Sequence, residues 1–245
     1  MATMRMKMDA SLDVSICSSR ASLRDALRVR ERTVYSCLNG YTLRSLLIDH
    51  AYDDLLASGR IAFVLDGMLA AAHLRRLGIG CERICGRDLL DDALALHTGP
   101  VTVIGGTEER ASRLLWSLRG YTARDVSLVT PPMFRTIPQV HEFARSVGPR
   151  LPPKSLTVVC IRSPLQDILS GALSSQSPAS IFVNVGAVLD DIANDRIREV
   201  RLFSRFGIEW LYRLVVSPRR TWPKIAAVLR DGIQVTEADY RWQEL

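Results

Sequence analysis

Asp66 and Gly67 close a run of five apolar residues, Ile61-Ala-Phe-Val-Leu65. A carboxylate held there could take the proton from an attacking hydroxyl, which is general-base chemistry. The run reads as a strand buried on both faces. Met68 to Leu77 reads as a helix stopped by Gly78. In an open α/β sheet, ligands sit at the carboxyl ends of strands. The plainer reading of Asp66 is a residue that caps its own helix or makes the turn.

A second candidate is Gly105-Gly106-Thr107 after the strand Val101-Thr-Val-Ile104. Glycines before a helix start, with Thr107 as cap, leave bare backbone N–H groups and a helix dipole facing an anion. The same residues also make an ordinary tight turn. Cys37-Leu-Asn39-Gly40 is a turn signal, with Thr42 expected to cap the next helix. Asn39 is then one helix away from Asp66. The pairs Asp53-Asp54, Asp91-Asp92 and Asp190-Asp191 fall mostly on helical stretches and read as solvated faces or caps, and Asp-x-Asp is absent from the chain. His50, His73, His97 and His141 have no metal-ligand spacing, and Cys81-x-x-x-Cys85 has no second pair. No metal and no cofactor is expected.

These residues need a scaffold. Strands are expected at the Asp66 run, at 101–104, 125–130, 156–161 and 180–185. Helices fall between them: 42–56, 68–77, 87–96, 108–118, 136–147 and one opened by Ser163-Pro164. Alternation of this kind gives an α/β fold, a parallel Rossmann-like sheet with helices on both faces. Residues 1–30 show no motif and read as an N-terminal segment, partly disordered. Residues 31–195 read as the catalytic domain. Residues 196–245 read as a helical, basic-aromatic C-terminal appendage, where Trp210, Tyr212 and Trp222 lie beside Arg213, Arg219 and Arg220. That mixture suits a membrane–water interface. A helix packed on the sheet with solvated arginines would look the same, and its apolar face could equally serve a homo-oligomer.

The totals agree with a globular domain: 245 residues, 47% hydrophobic and 24% charged. A net charge of +6 favours anionic partners. The aromatics cluster beside the C-terminal arginines rather than on a strand platform, so nucleic acid is not the expected partner. The five cysteines are odd in number and fit free thiols in a reducing compartment. No signal peptide and no apolar run of membrane-spanning length is visible.

The order of the pieces resembles the WecG/TagA/CpsF family of bacterial glycosyltransferases from about Asn39 to Lys224. Its most specific part is Gly207-Ile-Glu-Trp-Leu-Tyr-Arg-Leu214 with Pro218-Arg-Arg220. Val64-Leu-Asp-Gly67, Arg83-Ile-Cys-Gly-Arg-Asp88, Gly105-Gly106 and Ser163-Pro-Leu-Gln-Asp167 resemble further family segments. Arg162 stands where the family usually has Gly, Asp167 where it has Glu, and Cys37 where a Thr is common. The resemblance implies inverting, metal-independent transfer of a hexosyl or N-acetylhexosaminyl group. The donor would be a UDP-sugar and the acceptor a saccharide on undecaprenyl or a similar polyprenyl diphosphate, in surface or exopolysaccharide synthesis. It implies Asp66 as base, with Asn39 orienting substrate or base. Gly67, Arg83, Gly105, Gly106, Arg162, Gln166, Gly186 and Asp190 would meet substrate, and Trp210, Arg213, Arg219 and Arg220 the acceptor or membrane. The expected location is cytoplasmic, peripheral at the inner membrane face. Arg162 also leaves room for a catalytically silent member that binds lipid or a partner.

Overall fold

The computed structural model describes residues 3–8, 12–30, 33–48, 52–76, 78–196, 199–200, 202–203, 208–231 and 240–244. The Asp66 run is the strand β4, Ile61–Leu65, and every one of its residues is buried. Its side chains alternate between two cores. Ile61, Phe63 and Leu65 enter one, and Ala62 and Val64 the other. A strand covered on both faces must be apolar throughout, which is why it was legible.

The other strands are β1 Thr3–Met8, β2 Leu12–Cys17, β3 Val34–Leu38, β5 Val101–Gly105, β6 Val126–Val129, β7 Leu156–Cys160, β8 Ile181–Asn184 and β9 Tyr240–Glu244. They form one sheet in the order β6-β5-β7-β8-β3-β4-β2-β1-β9. The pairings from β6 to β2 are all parallel, seven strands in all, and β1 runs antiparallel to both β2 and β9. The expected fold class is therefore correct, with an antiparallel margin that sequence reading did not anticipate. Residues 1–30, read as a segment of their own, supply β1, β2 and the helix α1, Arg20–Val29, to this sheet.

Helices α2 Gly40–Ile48, α3 Asp53–Ala57, α4 Met68–Arg76, α7 Ile137–Val147 and α8 Leu165–Gln176 place Leu43, Leu55, Leu74, Val140 and Leu169 in one core. Helices α1, α5 Gly86–Leu96, α6 Ala111–Thr122 and α9 Val188–Ala193 place Leu23, Leu89, Leu114 and Leu189 in the other. Thr107 makes no side-chain capping bond, and residues 108–110 form a 3-10 turn ahead of α6; two further local expectations fail. Asn39, not Thr42, caps α2, its Oδ1 accepting from the Tyr41 and Thr42 amides at 3.0 Å each. The single helix expected at 42–56 is two, α2 and α3. The C-terminal appendage contains α10, Glu209–Val216, and α11, Pro218–Asp231, the latter resting against α2. Among the described residues no helix is long and apolar enough to cross a membrane.

Candidate active site

The ends of β3, β4, β5, β7 and β8 open into one cavity of about 630 Å³, within the usual size for small-ligand sites of roughly 300–1,000 Å³. It lies where the chain, having laid β3 and β4 side by side, crosses to β5 on the far side of β8 and β7. Such a reversal of winding leaves a crevice at the carboxyl edge.

Asp66 lines this cavity. Its position is set by the backbone. The Asp66 amide donates to Leu38 O at 2.9 Å, continuing the β3–β4 ladder by one residue, and the Ile84 amide donates to Leu65 O at 2.8 Å. Gly67 then turns at φ +91°, a conformation that side chains resist. No hydrogen bond reaches the Asp66 carboxylate from the described residues. Burial pushes its carboxyl up to about 7; Glu209 adds to the rise, and the Arg83 and Arg213 cations oppose it. A carboxyl with that value is half ionised near neutrality, which suits a general base. Asp66 is partly exposed and lines the cavity, so the burial that raises its carboxyl is compatible with access by a ligand.

Three walls surround it. On the first, Asn39 spends its Oδ1 on capping α2, and its Nδ2 has no partner among the described residues. The second is the turn after β7, with Arg162, Ser163 and Gln166. Gln166 is 4% exposed and its Oε1 has no hydrogen-bond partner among the described residues. A buried carbonyl oxygen left unpaired on a cavity wall is costly unless a ligand or water serves it. Arg162 is exposed, and its side chain makes no hydrogen bond or ion pair among the described residues. The third wall is the C-terminal α10. Arg213 reaches down from it to Asp191 of α9 at 2.9 Å and to Glu209, four residues back, at 2.7 Å. Burial works against the Arg213 cation, but the two carboxylates more than restore it, so it stays charged.

Behind the β7 turn lies a second buried carboxylate, Asp167. Ser36 of β3 and Asn184 of β8 are opposite each other in register. Both donate to Asp167, Asn184 Nδ2 at 2.8 Å. Tyr52 and Ser163 hydroxyls complete the set, Ser163 at 3.1 Å. Burial raises the Asp167 carboxyl and these hydrogen bonds hold it down. The network fixes the loop that carries Arg162 and Gln166 to the sheet.

The model of the glycosyl transferase WecG/TagA/CpsF family matches residues 8–235 of the 245-residue chain. The chain belongs to that family. Membership makes it a glycosyltransferase and implies work in cell-surface polysaccharide synthesis. It also extends the resemblance beyond Asn39–Lys224, taking in β2 and α1 but stopping short of β9 and of all but the last residue of β1.

Of the residues singled out from sequence, Asp66, Asn39, Gly106, Arg162, Gln166, Gly186, Asp190 and Arg213 all line the cavity. Gly67 supports Asn39 from behind: a Cβ there would lie 3.6 Å from Asn39 Cβ. Arg83 is outside the lining but near enough for its charge to act on Asp66. Gly105 is packed away from the cavity, since a Cβ there would meet Cys160 O and Leu189 Cδ1 at 2.9 Å. Its lack of a side chain lets β5, β7 and α9 close together. Trp210 and Arg219 are exposed on the outer surface, and the Arg220 side chain is outside the described residues. Sequence reading missed Glu209, Asp191 and Arg87, all in the lining. Glu209 and Arg213 are four apart on one helix, a pairing that spacing alone could have suggested.

Proposed function

We propose that the protein is an inverting transferase that moves a sugar from a UDP-sugar to a saccharide on a polyprenyl diphosphate. The observation that carries this reading is Asp66, a carboxylate on the cavity floor that ionises near neutrality and has no partner of its own among the described residues. In the proposed step the acceptor hydroxyl attacks the anomeric carbon from the face opposite the diphosphate. The new C–O bond forms as the sugar–phosphate bond breaks. Asp66 takes the hydroxyl proton, and the nucleoside diphosphate leaves with the bonding pair. One displacement inverts the anomeric centre. Arg162, Arg110 and the open turn at Gly186 would stabilise charge on the leaving diphosphate. Asn39 would orient the acceptor or Asp66, and Asp190 and Gln166 would take sugar or ribose hydroxyls. Arg213, through Asp191 of α9, holds α10 over the site, and Glu209 steadies its guanidinium.

The acceptor's lipid accounts for the outer face of the appendage. Trp210 and Trp222 are 51% and 58% exposed, with Leu211 and Val215 at 42% and 75%. Aromatic and aliphatic side chains beside Arg219 suit the headgroup level of an anionic membrane surface. The proposed location is accordingly peripheral, at the inner face of the cell membrane.

The test is calorimetric titration of the full chain with a panel of UDP-sugars, followed by turnover of the tightest donor on lipid-linked acceptors. Saturable binding of one sugar nucleotide and its transfer would support the reading. Folded protein that binds vesicles but no UDP-sugar would overturn it in favour of a silent lipid-binding member.

A further inference from the structure

The large apolar side chains that the fold leaves in solvent are not spread evenly. In the parallel part of the sheet, every strand from β2 to β8 leaves at the same edge, the one that holds the cavity. Met68, which follows the turn after β4, is 43% exposed. Met133 and Ile137, after β6, are 89% and 40% exposed. At the opposite edge, among the described residues, only Val29 at the end of α1 is comparably bare, and Trp116 lies midway along α6. We propose that the turn 131–137 is a membrane contact separate from the appendage, seating Met133 and Ile137 among the headgroups of the bilayer that carries the acceptor. The inference rests on the lipid-linked acceptor of the reading above.

The turn is built for that contact. From Val126 to His141 the chain carries no acidic residue, so nothing in it repels an anionic surface. Phe134 is buried in the core and meets Phe143 edge-on, with 5.3 Å between ring centres. Rooted there, the turn keeps Met133 in solvent. Backbone amides near lipid must be satisfied within the protein. Here Pro131, Pro132 and Pro138 have no N–H, and Gln139 Oε1 accepts from the Arg135 and Thr136 amides at 2.8 and 3.2 Å. The prolines also keep the turn stiff, so little chain entropy is lost when it docks. Arg135 is exposed beside them, and its length lets it reach lipid phosphate while its stem stays in the apolar layer.

Its place on the sheet gives the contact a purpose. β6 is one margin of the sheet. α11 rests against α2, which follows β3, so the appendage lies towards the other end. β6 and β3 are four strand intervals apart, about 19 Å at ~4.8 Å each, and the cavity opens between them. One contact leaves the protein free to swing on a membrane. Two contacts, on either side of the cavity, fix which edge faces the bilayer. The carboxyl edge is then held against the surface from which a saccharide on its diphosphate must reach Asp66. The shared edge favours lipid over a protein partner. A protein could dock anywhere on the surface, whereas a lipid-linked substrate has to arrive at this edge.

The experiment is co-sedimentation of the full chain with vesicles of phosphatidylethanolamine and phosphatidylglycerol, with neither donor nor acceptor present. It is repeated on Met133→Asp, on Ile137→Asp and, as a control, on Trp116→Asp, whose side chain is 79% exposed on another face. All three residues are exposed, so the fold has little reason to change, and thermal melts check that it has not. Met133→Asp should weaken vesicle binding about tenfold, Ile137→Asp several-fold, and Trp116→Asp less than about twofold. UDP-sugar binding should be the same in all. Parental vesicle binding by Met133→Asp, or an equal loss in Trp116→Asp, would overturn the second contact and leave the acceptor reading standing. Parental vesicle binding with a lower mass by light scattering would overturn it too, and make the turn a protein interface. A parent that binds no vesicles would overturn the membrane reading and the inference with it.

Discussion

Two carboxylates lie near the carboxyl edge of the sheet, and burial pushes both above the ordinary range. Asp167 accepts hydrogen bonds from Ser36, Tyr52, Asn184 and Ser163. Asp66 accepts none from the described residues. The same residue type therefore does opposite work. Around Asp167 the fold has supplied every donor a carboxylate can use, which makes it a fixed strut under the β7 turn. At Asp66 the fold supplies a position and a field but no donor, so its lone pairs remain for a substrate proton. Burial alone does not distinguish a reactive carboxylate from a structural one; the number of donors around it does.

The comparison is broken most directly by removing each carboxylate in turn. Asp66→Asn should reduce turnover of the donor–acceptor pair by about 10²–10⁴-fold, the usual scale for loss of a general base, while the fold persists. Asp167→Ala should do the reverse. It strands several buried donors and should lower stability by about 3 kcal/mol in denaturant titration. Near-normal turnover in the first, or unchanged stability in the second, would show that donor count is no guide here.

Arg213→Ala sharpens the comparison by removing a cation from the field at Asp66 while leaving the four donors of Asp167 in place. The cation opposes the rise in the Asp66 carboxyl, so its loss should move the midpoint of the kcat/KM profile above 7, and kcat/KM should fall about tenfold as α10 loosens. A midpoint that moves down would contradict this. A smaller effect concerns stability. The folded value of Asp66 lies above its unfolded value, so its contribution is full below about pH 4 and is lost as pH rises through about 7. Asp66→Asn escapes that loss. Its melting temperature should exceed that of the parent by a few degrees at pH 8, from ~1–2 kcal/mol after allowance for solvent access, with a smaller gap at pH 5.

How much of this was readable beforehand follows from the range of each interaction. β4 and its Asp66–Gly67 turn were legible because both signals are local: an unbroken apolar run and a glycine where φ is positive. β3 was missed although it is buried throughout. Ser36 and Cys37 dilute its apolar run, and Asn39-Gly40 drew attention to the turn instead. Ser36 is tolerated there because Asp167, 131 residues away, accepts its hydroxyl. That network draws on β3, β8, α8 and the loops around Tyr52 and Ser163, and only the crossing order of the strands unites them. β1 carried a readable signal in the alternation Met4-Arg-Met-Lys-Met8, although a start so rich in charge did not suggest a strand. The family motif at 207–214 pointed to Arg213, but its reach to Asp191 depends on how α10 lies over α9, which spacing does not encode.

The central claim is that the Asp66 carboxyl is left unserved by the fold and ionises near neutrality. Its most direct test needs no substrate: titration of the carboxyl ¹³C resonances of the full chain by NMR, with Asp66→Asn identifying the signal. The account predicts a midpoint for Asp66 of about 7. A midpoint near 4, the ordinary value for an aspartate, would mean that the carboxylate is solvated or partnered in solution, and Asp66 would lose its place as the base.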